Sequence, residues 1–141
     1  MSRLEDIAIK VVEREAGLSG NADALLYEIA DLLACLVEQG RPGAIDLRSL
    51  PLTPADRAYL SAQLGEGEVR AEVQALGTSE VRETSYRGVW WITHRDATGE
   101  LCAELIEVTP LPAILATDAG EMADALERLQ ARLSAATGDE R

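Results

Sequence analysis

Phenylalanine is absent from the 141 residues, histidine occurs once and cysteine twice. His94, Cys35 and Cys102 are far apart in sequence, and structural zinc needs four ligands, usually in close pairs, so they make a poor metal set. Neither cysteine belongs to a C-x-x-C pair; Cys35 in a helical pattern and Cys102 in a strand pattern read as two buried reduced thiols rather than a disulfide. Long apolar runs are also missing. None approaches the ~20 residues that span a bilayer, and the opening "MSRLEDIAIK" puts charges where a secretory signal needs an apolar stretch. The expectation is a cytoplasmic protein without membrane attachment. Basic residues are scarce: 13 Lys and Arg against 25 Asp and Glu leave a net charge of −12, which repels nucleic acid and anionic lipid and attracts a basic partner segment. No Walker loop, no G-x-G-x-x-G after a strand and no G-x-S-x-G is present. His94 has no spaced nucleophile beside it, so the protein is not expected to be an enzyme or to carry a cofactor.

What is present is a change of period along the sequence. Residues 2–15 read as a helix opened by a Ser2–Glu5 capping box. After the break "GLSGN", Leu25, Leu26, Ile29, Leu32, Leu33, Leu36 and Val37 recur at helical steps over 22–39, and Gly40 with Pro42 ends the run. Residues 44–52 form a connector with at most a short extended segment. Thr53-Pro54 then opens a helix to Leu64, the threonine as cap and the proline in the tolerant first turn. From Glu68 the period falls to two, with Val69, Ala71, Val73 and Ala75 alternating against Arg70, Glu72 and Gln74. Further strands fall at 80–86, 88–94 and 101–108, with turns at 76–80 and 95–100. A short helix at 112–116 and a last one at 119–135, striped by Met122, Leu126, Leu129 and Leu133, complete the sequence. This order predicts a single α+β domain over 1–141. It comprises a helical part over 2–64 and an antiparallel four-stranded meander over about 68–108, with the N-terminal helices and a C-terminal helix packed on the sheet.

The two tryptophans are adjacent, in "GVWWITH". Neighbours on a strand point to opposite faces, so Trp90 shares a face with Ile92 and His94, and Trp91 with Val89 and Thr93. If helices cover one face, the other indole lies on an open face and is a candidate partner contact. The alternatives are a sheet covered on both sides or a homodimer that buries the second face. Glu80, Glu83, Glu104 and Glu107 can be read as a carboxylate cluster, or as a solvated face with cross-strand pairs such as Arg82 with Glu104.

Several segments carry a family likeness: Leu52-Thr53-Pro54-Ala55-Asp56, Leu64-Gly65-Glu66-Gly67-Glu68-Val69, Glu83-Thr84, Gly88-Val89-Trp90-Trp91 and Glu104-x-Ile106-Glu107-Val108. In order and spacing they resemble the conserved C-terminal region of the HupH/HoxQ/HyaF family of hydrogenase expression and formation proteins, over roughly residues 50–116. Family members are usually about twice this length, so the sequence reads as a shortened or single-unit version. The resemblance implies an accessory, non-catalytic role in maturing an uptake nickel–iron hydrogenase. The implied partner is the precursor of the iron–sulfur small subunit with its twin-arginine signal peptide, and other hydrogenase accessory proteins are further candidates. Glu83, Tyr86, Trp90, Trp91, His94 and Glu104 are the residues expected at the partner surface. Two rival readings stand beside it: a structural or regulatory homodimer, and a small thiol or metal carrier using Cys35 and Cys102.

Overall fold

A five-stranded antiparallel sheet in the order β1-β5-β4-β3-β2 organises the computed structural model, which describes residues 17–139. Its strands are β1 (Gly43–Asp46), β2 (Arg70–Gln74), β3 (Thr78–Glu83), β4 (Val89–Arg95) and β5 (Leu101–Val108). The helices are α1 (Asn21–Gln39), α2 (Pro54–Leu64) and α3 (Ala119–Asp139), with short 3-10 turns at Leu47–Ser49 and Ala113–Leu115. The helix expected at 2–15 lies outside the described residues. The protein divides into two compact units, one ending at Pro110 and one beginning at Leu111.

The fold class is the α+β arrangement expected, with one strand more. β1 is only four residues long and buries one side chain, Ile45, so period-two alternation had too few positions to register. It pairs antiparallel with β5, placing Ile45 opposite Ile106. β2 to β5 form the meander, each pairing antiparallel with the next. β3 begins at Thr78, inside the span read as a turn, because the reversal is tight: Ala75 N–H bonds the Gly77 carbonyl. A Cβ at Gly77 would stand 2.0 Å from the Arg95 carbonyl oxygen, so this corner has room for glycine alone.

Gly20, in the left-handed region, is the N-cap of helix α1 and supplies no side-chain bond; Ser19 and Asn21 on either side of it bond Asp56 and the Pro51 carbonyl instead. Gly40 ends it as expected, its N–H reaching the Leu36 carbonyl. Ala22, Leu25 and Ile29 of α1 and Leu60 and Leu64 of α2 form one core cluster with Ile45, Leu47, Val89, Trp91, Ile106 and Val108. The helices therefore cover the sheet face that carries Trp91. Val81, Trp90 and Ile92 on the opposite face are buried as well. Both thiols are free and exposed, which corrects the expectation of two buried cysteines: Cys35 falls off the apolar stripe of α1, and Cys102 lies near the open end of β5. In the second unit α3 forms as its periodicity predicts, and Met122, Leu126, Leu129 and Leu133 are exposed along it.

The joint between the α1 and α2 starts is polar and part-buried, with Asp56 fully buried at its centre. Thr53 and Asp56 make a reciprocal capping box at α2. The Asp56 carboxylate also accepts from Ser19 N–H at 2.9 Å and Ser19 Oγ at 2.5 Å. These bonds, the Ser19 hydroxyl foremost, hold its pKa down at about 2 against an ordinary 3.8. A carboxyl whose folded pKa is depressed stabilises the fold above its unfolded pKa, and that contribution fades as pH falls from about 4 through about 2. Asp56→Asn is thus expected to lower the urea midpoint at pH 7, with the gap to the parent closing toward pH 2. A gap of constant size across that window would show that the ionised carboxylate is not what holds the joint.

Candidate functional site

Cross-strand register decides which side chains meet. Arg82 lies opposite Trp91, and Trp91 opposite Ile106; in the next row Glu80 lies opposite Thr93, and Thr93 opposite Glu104. Residues directly across an antiparallel ladder share a face. Arg82, Trp91, Glu80, Thr93 and Glu104 therefore all point to the face covered by the helices. Helix α2 crosses above them with Arg57 and Ser61, one turn apart, and the small Ala58 between them leaves space over the sheet. The result is a cavity of about 350 Å³ lined by these residues and by Arg95 at the end of β4.

Trp91 forms its floor. The indole is buried, at 6% exposed, and its Nε1–H donates to Glu104 Oε2 at 3.2 Å. Glu104 Oε1 faces Arg57 Nη1 in an ion pair, which holds α2 to β5 across the cavity. The Arg82 guanidinium sits over the Trp91 ring, 5.4 Å from its centroid, within cation–π range. Its other contacts are long: Ser61 Oγ at 3.4 Å and Glu66 Oε1, an exposed carboxylate, at 3.5 Å. Glu80 is engaged from outside the cavity by Arg70, at 2.6 Å. Arg95 donates to the Gly99 carbonyl at 3.1 Å.

The six residues expected at one surface are divided. Trp91 and Glu104 are buried together on the helix-covered face. Trp90, Glu83 and His94 belong to the opposite face, where Trp90 stands opposite Glu83 and Glu107, and His94 opposite Ser79. Trp90 is 4% exposed and donates its Nε1–H to the Thr109 carbonyl at 2.9 Å, so neither indole is the exposed one that the alternation allowed for. Glu83 is buried, and its carboxylate accepts from Glu68 N–H at 3.2 Å. A Cβ at Gly67 would fall 2.4 Å from the Thr84 carbonyl and 2.5 Å from Glu83 Oε1, so the Gly65-Glu66-Gly67 loop is pressed against Glu83-Thr84. His94 Nδ1 shares a hydrogen bond with Ser79 Oγ at 2.6 Å. Tyr86 is the exposed member, in the turn between β3 and β4.

Sequence reasoning missed Arg57, Ser61 and Arg95, and paired Arg82 with Glu104. Those two stand on strands separated by β4, roughly 9–10 Å apart in the hydrogen-bonding direction, and Arg57 takes Glu104 instead. The signal that locates Arg57 is its place directly after the capping Asp56, one turn before Ser61. The four glutamates are likewise split, Glu80 and Glu104 on one face, Glu83 and Glu107 on the other. Among the described residues no three His, Cys, Asp or Glu side chains come together as a metal site, and no helix is long and apolar enough to cross a membrane.

Residues 20–136 match the family model of the HupH hydrogenase expression protein, C-terminal conserved region. The hydrogenase expression/formation protein HoxQ of Azotobacter vinelandii is 30% identical over 112 residues, which is 78% of this sequence and 40% of that protein. HupH of Rhizobium leguminosarum bv. viciae is 41% identical over 93 residues, 63% of this sequence and 32% of that one. The 141 residues thus span less than half the length of these curated relatives. The solved structure of the hydrogenase expression protein HupH from Thiobacillus denitrificans is similar at a TM-score of 0.80 and 43% identity, over 82% of this protein and 97% of that one.

Proposed function

The protein belongs to the HupH family of hydrogenase expression proteins, and from that premise we propose that it is an accessory factor in maturing an uptake nickel–iron hydrogenase. It acts by binding rather than by catalysis, on the precursor of the iron–sulfur small subunit, in the cytoplasm and before export. The observation that carries this reading is the extent of the family match, which takes in every residue lining the cavity beneath α2. The relatives are named for hydrogenase expression and formation. The charge of −12 suits a client with a basic leader, through long-range attraction at low salt.

The test is capture of the small-subunit precursor by the tagged protein, with and without its twin-arginine leader. Capture supports the role, and dependence on the leader locates the contact there. Failure to capture either form, by folded protein, sinks the reading. A homodimer is the second reading, favoured by the exposed stripe Met122, Leu126, Leu129 and Leu133 on α3. Sedimentation at micromolar concentration separates the two.

A further inference from the structure

The cavity under α2 holds more positive charge than its own carboxylates require. Basic residues number 13 in a protein of net charge −12, yet three guanidiniums, those of Arg57, Arg82 and Arg95, line this one space. Internal neutralisation accounts for Arg57, which is paired with Glu104. It does not account for the other two, because Glu80 is already held by Arg70 from outside. A charge-assisted N–H···O bond is normally about 2.7–2.9 Å long. Arg82 reaches the exposed carboxylate of Glu66 only at 3.5 Å, and Arg95 is bonded to a neutral carbonyl. Both guanidiniums retain donor capacity toward the cavity.

We propose that this cavity is a carboxylate-binding site, taking a single acidic side chain or the terminal carboxylate of a protein segment. A guanidinium fork matches a planar carboxylate in two parallel bonds. Trp91 beneath Arg82 restricts the fork before the ligand arrives, which reduces the ordering cost of binding. The Ser61 and Thr93 hydroxyls supply further donors on the α2 and β4 sides. The walls also select against more highly charged anions. Glu80 and Glu104 stand in the same lining, and a phosphate dianion would meet their repulsion at short range with twice the charge of a single carboxylate. The source of the segment rests on the proposed function, under which it belongs to the client precursor; the carboxylate chemistry stands on the geometry alone.

The two indole N–H groups give a direct readout by ¹H–¹⁵N NMR, since Trp91 floors the cavity and Trp90 lies on the opposite face. Four probes are titrated into the intact protein: a doubly capped Ala-Asp-Ala, an acetylated Ala-Ala-Ala with a free C-terminus, a doubly capped Ala-Asn-Ala, and inorganic phosphate. A saturable shift of the Trp91 signal with at least one carboxylate peptide is expected, with a Kd on the order of 1 mM and Trp90 unmoved. The first two peptides separate an acidic side group from a free C-terminus. Arg95→Gln, at the exposed rim, is expected to weaken binding about tenfold while leaving the spectrum's dispersion intact; Arg82→Gln serves as the second variant if it folds. The proposal is overturned by no saturable shift with either carboxylate peptide, by an equal response to the asparagine peptide, or by tighter binding of phosphate. Precursor capture without peptide binding removes this proposal and keeps the maturation role; peptide binding without precursor capture does the reverse.

Discussion

Trp91→Ala is expected to destabilise the fold by about 3–5 kcal/mol, the cost typical of truncating a large buried aromatic. The indole is a member of the one cluster that joins α1, α2, β1, β4 and β5. Its removal opens a void in that cluster beside Ile106, its cross-strand neighbour, that a rigid sheet cannot collapse to fill. It also removes the N–H that satisfies Glu104 Oε2 and the ring beneath Arg82. Against a usual margin of about 5–15 kcal/mol, such a loss approaches unfolding at 37 °C. Urea denaturation followed by far-ultraviolet circular dichroism measures it, and Trp91→Phe separates its parts: the phenyl keeps most of the packing and loses the donor, for about 1–3 kcal/mol. A Trp91→Ala protein within about 1 kcal/mol of the parent would mean that the indole carries no core load and is free to face a partner.

The alternation in "GVWWITH" gave the face of each tryptophan correctly, because strand geometry alone sets it. It could not say that both faces are buried. That depends on what lies above Trp90, Val81 and Ile92, and period-two patterning on one strand carries no information about its cover. The meander was legible for a similar reason: its strands are consecutive and their turns carry Gly77 and Gly99. β1 was not, since its partner β5 is more than 50 residues away and four residues cannot establish a period. The cavity was the least legible element. Its lining comes from α2, β3, β4 and β5, and only the register across two ladders, with the crossing of α2, puts Arg57 against Glu104 rather than Arg82. The segments that carry the family likeness divide in the same way. Thr53 with Asp56, Gly67 against Glu83-Thr84, and Gly88 before Val89 are joints of the scaffold, whereas Trp91 and Glu104 also face the cavity.

The Arg57–Glu104 pair supplies the second large effect. Glu104 is buried, and Arg57 is about one-third exposed. Removing the cation strands a carboxylate that has one remaining donor, Trp91; removing the anion leaves Arg57 free to turn to water. The two single variants are therefore unequal. Arg57→Met is expected to cost more, toward the lower end of the ~3–5 kcal/mol seen when one partner of a buried pair is removed. Glu104→Leu should cost less, mainly the lost indole acceptor. Combining them removes both charges and restores apolar volume between α2 and β5, so the double variant should be more stable than Arg57→Met alone. The cycle should show a coupling of about 1–3 kcal/mol, read from urea midpoints of the four proteins at pH 7. Additive losses would mean that solvent already screens the pair. Coupling of the expected size would show that the cavity's own ion pair clamps α2 to β5, which leaves Arg82 and Arg95, rather than Arg57, to meet whatever enters.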